Sequence, residues 1–499
     1  MKKTICVLLA FVLLLNMIAC GKTDDPSVSI DTETTENVTE AVTGDPNYQC
    51  DLPNNLKYGG EEISILYNPS SGREDELISE EMGHGVVSDA VYERNVAVEG
   101  MLEVVLNYCK AEDIVTDMSQ DIQSGSGDYQ IVANGTNGAV IPAIEGKYIN
   151  LSELENINTS KHYWTQGYND MATFTDENIQ FLASGPIALS MFRYMFLTLY
   201  NKTLFEEYHI EDLYNTVKNG DWTLDYQYVI AKDHYYDSDG DQKYSEGDFY
   251  GFVTGDTVSV DPYPVAANLH MIMRAPDTGD LIYNTDAGAR LSDLCDKVQL
   301  LYNDESVYVY KTGTYDNTGT SYVINHFTDK NALMVTTMFY AMELNYENLG
   351  AMSYGIAPLP KFDKNQAEYH TYVQDQVSCF GISAVVGTPE QQEKCAAVLE
   401  AMAYHSYLLV RPAYYETVLS TRYMQDPESK EILDMIFTSL DFDFSSSWSD
   451  ILGTSNIRNA LRPLLSGSKN TVGSMTKSWQ RSVQRVLDGY NEQLAGYGT

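Results

Sequence analysis

The chain has 499 residues and a formal net charge of −40, from 31 basic and 71 acidic side chains. A surface this acidic repels nucleic-acid phosphates and anionic headgroups, and no basic stripe interrupts it, so nucleic acid is excluded as a partner. The length exceeds what one small core fills and suits two lobes.

The chain opens with "MKKTICVLLAFVLLLNMIAC". Lys2 and Lys3, an apolar run from Ile5 to Leu15 and the small Ala19 before Cys20 have the layout of an export signal, too short for a membrane span. "NMIAC" resembles a bacterial lipobox with Met17 where Leu is commoner. That resemblance implies a signal peptide over 1–19 and a lipidated Cys20 as the first mature residue; a plain signal peptide or an uncleaved anchor is the alternative. Residues 20–55 are rich in Thr, Ser and acids and poor in aromatics, a composition expected to form a disordered tether.

"EEISILYNP" (Glu61 to Pro69) reads as a strand, and "VVSDAVYERNVAVEGML" (Val86 to Leu102) as a helix with Ser88 as a plausible cap. "EVVLNYC" and "YQIVANG" predict two more strands around a helical "AEDIVTDMSQDIQ". Strand and helix alternating in this way predict an α/β lobe with a largely parallel sheet. Glu177 to Tyr208 carries two apolar runs around Gly185-Pro186, a breaker pair that suits a change of direction. "DWTLDYQYVIAKDHY" predicts a helix, the segments from Ala287 to Val386 continue the alternation, and the tail from Glu390 is mostly helical.

Between these lies "DSDGDQKYSEGD" (Asp237 to Asp248). Ca²⁺ takes six to eight hard oxygens from one compact turn, and an EF-hand-type loop offers them from positions 1, 3, 5, 7 and 12. Asp237, Asp239, Asp241, Lys243 (through its carbonyl) and Asp248 fill those positions. Gln242 replaces the turn glycine and Asp248 the longer bidentate Glu, so a weakened structural Ca²⁺ site is expected, with a solvated acidic turn as the alternative. Cys50, Cys109, Cys295, Cys379 and Cys395 remain after the leader and Cys20. They are read as buried free thiols, with one disulfide such as Cys379 to Cys395 left open.

Several of these pieces, in this order, resemble the extracellular solute-binding lipoproteins of ABC importers, family 1, the group that includes maltose-binding proteins. They are Cys20, "DAVYERN" (Asp89 to Asn95), "YNKTLF", "DWTLD", the acidic loop ending in "FYGF", "YGIAPLPK", "PEQQEKCAAVLEAM" and "PAYYETVL". The resemblance implies an α/β, two-lobe, periplasmic-binding-protein-like (type II) fold with crossing strands at a hinge and a ligand cleft between lobes. By position it implies a first lobe over 56–184 and about 377–420, and a second over 185–376 and about 421–499. Crossings are expected near Ala183 to Ile187 and Val373 to Val377, with the acidic loop on the second lobe away from the cleft.

A sugar site needs flat aromatic faces and planar hydrogen-bonding groups, because a buried unpaired hydroxyl costs about 1–3 kcal/mol. The expected ligand-binding residues are Asn68 and Arg73 after the first strand, Tyr163 and Trp164 before the first crossing, Phe339 and Tyr340, and Gln374 and Asp375 by the second crossing. Core packing is the competing reading for each ring. The expectation is a lipid-anchored, monomeric binding subunit for a mono- or oligosaccharide, outside the cell membrane, delivering to a permease and performing no catalysis. The alternatives are a cation-dependent surface adhesin and, behind it, a glycoside hydrolase. No nucleophile–base motif is present.

Overall fold

The structure is a computed structural model that describes residues 49–69, 73–174, 179–238, 240–311, 320–415 and 425–496. The chain divides into Met1–Gln49 and Cys50–Thr499, and the architecture below is that of the second unit. Cys20, the leader and the tether up to residue 48 lie outside the described residues. Asp51 pairs with Lys161 at 2.8 Å and Leu52 is buried, so the expected tether stops short of residue 55: the chain is packed from Cys50 onward.

In chain order the elements that build the site are β1 (Glu61–Tyr67), α1 (Arg73–Leu77), α2 (Val86–Leu102), β2 (Val104–Lys110), α3 (Ile114–Ser124), β3 (Ile131–Gly135), α4 (Thr136–Ile144) and α5 (Gln166–Met171). After a crossing come β4 (Phe196–Asn201), β5 (Phe249–Gly255), the hairpin β6 (Ile272–Arg274) and β7 (Leu281–Tyr283), α6 (Ala287–Tyr302), β8 (Val307–Tyr310), β9 (Ala332–Met338), α7 (Phe339–Leu344) and β10 (Tyr354–Ala357). The chain then returns through β11 (Thr371–Tyr372) to β12 (Ser378–Ile382) and α8 (Pro389–His405), and ends with α9 (Pro427–Thr438), β13 (Leu440–Asp441), α10 (Ile457–Leu465) and α11 (Val472–Leu494).

Two sheets result. The first has the order β12-β3-β1-β2, with β1 parallel to both neighbours and β12 antiparallel to β3. The second has the order β8-β5-β9-β4-β10, in which β4 runs antiparallel to both neighbours, and Tyr235–Tyr236 adds a short antiparallel strand against β5. Strands such as β9 and β12 are buried throughout, as expected where helices cover both faces of a sheet. Local chemistry sets the helix ends: Asp113 caps α3 by accepting from Thr116 N at 3.0 Å, and Thr388 caps α8 ahead of Pro389. Ser88 does not cap α2. The helix starts at Val86, and the Ser88 hydroxyl donates back to Gly85 O at 2.9 Å. The helix expected over 221–235 is shorter, Leu224–Ala231, capped by Thr223.

Candidate functional site

The crossings determine where the two sheets face each other. Ser378 pairs with Gly135, so the returning chain enters the first sheet at the carboxyl end of β3. Phe196 pairs with Met338, so the outgoing chain enters the second sheet at the carboxyl end of β9. Between these points the two segments run antiparallel, bridged at Ala183 with Phe380 and at Met195 with Val373. The carboxyl ends of the parallel strands in both lobes therefore open on one crevice, which is where open α/β sheets bind ligands. Gly185 belongs to the first of these segments, and a Cβ there would lie 3.0 Å from the Trp164 ring, so the position admits only glycine without a shift.

Arg73, at the start of α1, donates from Nη2 to Gln376 O at 2.8 Å, and its guanidinium occupies the space a Cβ on Gly135 would need, 2.4 Å away. Asn137 N donates to Asp375 O at 2.9 Å. Arg73, Asn137 and Gln376 thus form one polar wall at the carboxyl end of β3.

The second wall is ionic and aromatic. Arg193, inside the first crossing, pairs through Nε with Glu343 of α7 at 3.0 Å and through Nη2 with Asp75 of α1 at 3.6 Å. Tyr414 donates its hydroxyl to Glu343. Burial alone would lower the Arg193 pKa; Glu343 leads the charges that reverse this and hold it above its ordinary value. Next along the chain, the Tyr194 ring meets the half-buried Tyr340 edge-on at 6.0 Å.

Beneath both walls, fully buried Glu76 accepts from Ser190 N at 2.9 Å and from the Ser378 hydroxyl, joining α1 to both crossings. Burial pushes Glu76 above the usual carboxylate range despite these donors. Arg94, from the "DAVYERN" stretch, is also fully buried and donates to Glu76 O and Leu77 O, each at 2.8 Å. It holds the end of α1, and with it the crevice floor.

The residues expected to bind ligand separate accordingly. Tyr340 is half-buried at the crevice, Arg73 is 5% exposed within its wall, and Asn68 is half-buried at the end of β1, donating to Glu112 O at 2.9 Å. Tyr163 and Trp164 do not face it: they are buried in the first lobe, where both donate to the Glu400 carboxylate, Trp164 Nε1 at 2.9 Å. Phe339 is wholly buried beneath the start of α7. Gln374 is 5% exposed, and Asp375, at 3%, is engaged by Arg458. Asp75, Asn137, Arg193 and Glu343 escaped sequence reasoning because their partners lie far along the chain; only their positions next to strand ends marked them.

In the acidic loop Asp237 accepts from Gly240 N and Gln242 N at 2.7 and 3.0 Å, and Asp241 pairs with the Lys243 ammonium at 2.8 Å. Buried Asp248 accepts from Ser245 N at 2.9 Å and Ser238 N at 3.2 Å. Asp239 lies outside the described residues. Among the described residues no group of three or more His, Cys, Asp or Glu side chains is placed to hold a metal ion. The five described cysteines are all free, so Cys379 and Cys395 form no disulfide. No helix among the described residues is long and apolar enough to cross a membrane.

No protein-family model and no curated protein sequence matches the chain. Solved structures do. The galacto-N-biose/lacto-N-biose I-binding protein of an ABC transporter from Bifidobacterium longum, in complex with lacto-N-biose, is 13% identical with a TM-score of 0.55 over 87% of this chain and 98% of its own. A sugar transporter structure from Rhizobium etli, in an open conformation, gives 14% and 0.55 over 84% and 99%. The maltose-binding periplasmic protein of Listeria monocytogenes, in complex with maltose, gives 12% and 0.52 over 87% and 99%. The shared feature is the fold: two α/β lobes of the periplasmic-binding-protein kind.

Proposed function

We propose that this protein is the extracytoplasmic solute-binding subunit of an ABC importer, holding a mono- or oligosaccharide in the crevice and presenting it to a membrane permease. The observation that carries the reading is the crevice: two lobes joined by antiparallel crossings, with Arg73 bonded to the Gln376 carbonyl and the Asn137 backbone to Asp375 on one wall and Tyr340 near the Arg193–Glu343 pair on the other. Planar donors and acceptors suit sugar hydroxyls, and a tyrosine face suits the apolar side of a pyranose ring. The structural neighbours bound to lacto-N-biose and maltose support the same class of solute. The chemistry is non-covalent. Solute binds the closed arrangement of the lobes better than the open one, and that difference drives the hinge.

Three further features belong to this proposal and rest on sequence: lipidation at Cys20 to hold a monomer at the outer face of the membrane, the permease as partner, and a structural Ca²⁺ in the 237–248 loop with Asp239 among its ligands. The deciding experiment is a thermal-shift screen of residues 50–499 against mono- and oligosaccharides, with peptides as controls, in Ca²⁺ and in chelator. A solute at 100 times its Kd adds about 2.7 kcal/mol. Saturable stabilisation by one saccharide class is the expected result. A flat saccharide panel, or turnover of a sugar polymer by this chain alone, would overturn the reading.

A further inference from the structure

A second cavity, of about 630 Å³, shares no residue with the crevice walls described above. One side is the end of α5, which precedes the first crossing; the other is the β6–β7 hairpin and the start of α6, with Phe442 and Phe444 between them. Its size falls within the range that encloses small ligands. Met171, Leu281, Phe442 and Phe444 give it an apolar lining.

Two guanidiniums line the same cavity, those of Arg274 and Arg290. Neither of these has an ion pair among the described residues. Arg274 spends Nη2 on two backbone carbonyls, Asp170 O and Met171 O, each at 3.1 Å. Arg290 donates from Nε to Ala267 O at 2.7 Å and from Nη2 to Gln366 Oε1 at 3.1 Å, with its Cζ 4.4 Å from the Phe362 ring centroid. Carbonyls and an aromatic face orient these cations, and the carboxylate that acts on Arg274, Asp170, is exposed and offsets its charge only in part. Burial lowers the Arg274 pKa, and the Asp170 carboxylate opposes that shift without reversing it. The other charged groups on the wall are His270, already paired with Asp441 and Asp443, and the exposed carboxylates Asp170 and Asp286.

We propose that this cavity is a second binding site, for a small organic anion: a carboxylate, or a similarly planar acid group, carried on an apolar body. The acid group is held by Arg274 and Arg290, whose forked donors match carboxylate geometry. The apolar body lies against Phe442, Phe444 and Met171.

Isothermal titration of residues 50–499 with benzoate, with its neutral isostere benzamide and with inorganic phosphate tests this. Benzoate binds saturably with one site, and benzamide binds at least about tenfold more weakly, since the charge-assisted hydrogen bonds are lost. Phosphate, lacking the apolar body, is also weaker. Arg290→Gln and Arg274→Gln each weaken benzoate about tenfold and leave benzamide unchanged. If Arg274→Gln fails to fold, Asp170→Asn and Asp286→Asn supply the second arm: removing the exposed carboxylates must tighten benzoate by about two- to fivefold. Equal affinity for benzoate and benzamide, no saturable heat up to about 10 mM benzoate, or affinity unmoved by every variant would overturn the proposal.

Discussion

Replacing Arg193 with methionine tests whether the ion pairs at the first crossing hold the lobes to their hinge. The Arg193 side chain is 12% exposed and its partners differ sharply: Glu343 is 16% exposed and Asp75 69%. A pair with a group as exposed as Asp75 contributes about 0–1 kcal/mol. Removing one member of a largely buried pair costs about 3–5 kcal/mol, because the remaining charge is left uncompensated. Glu343 keeps the Tyr414 hydroxyl as a donor, and methionine retains part of the stem, so the low end applies and Arg193→Met should cost about 3 kcal/mol. Urea unfolding followed by circular dichroism, with a double-mutant cycle to Glu343→Gln, measures this. The double variant should lose at least about 1 kcal/mol less than the sum of the singles, while Asp75→Asn stays within about 0.5 kcal/mol of wild type. Additive effects, or an Arg193→Met variant no less stable than Asp75→Asn, would refute the reasoning.

Tyr340→Ala should weaken saccharide binding about tenfold or more in titration calorimetry, while the melting temperature of the unliganded protein barely moves, since the ring is only half-buried. Unchanged affinity would place the solute elsewhere. Asp248→Ala removes the buried carboxylate that accepts from the part-exposed Ser238 and Ser245 backbone N–H groups and should cost about 1–2 kcal/mol in chemical unfolding; a loss below about 0.5 kcal/mol would count against that role. His270 bonds Asp441 at 3.2 Å and Asp443 at 3.1 Å. Burial alone would strip its proton, but the two carboxylates outweigh burial and lift it to about 10. A pKa raised in the folded state stabilises fully below the unfolded value, near 6.5, and that stabilisation is lost as pH rises through about 10. Melting temperatures should therefore fall between pH 6.5 and 10 by more in wild type than in His270→Asn, and parallel curves would remove His270 from the account.

Local pattern made much of the architecture readable. The helical period of Val86 to Leu102, the apolar runs at Glu61 to Tyr67 and Ile131 to Gly135, and the order of strands and helices depend on neighbours a few residues away, and they specified an α/β chain, while length and the family resemblance supplied the two lobes. The breaker at Gly185-Pro186 marked a change of direction, the resemblance made it a crossing, and glycine there answers a steric demand. Residue types alone could not say which rings face solute. Tyr163 and Trp164 have the chemistry of a sugar site, but Glu400, 237 and 236 residues away, turns them into the core. Arg193 meets Glu343 across 150 residues, and Arg73 meets Gln376 across 303. Burial and long-range pairing emerge only when the two sheets are set against each other, so the sequence determined the lobes and their hinge, and the tertiary structure decided which charges and rings line the space between them.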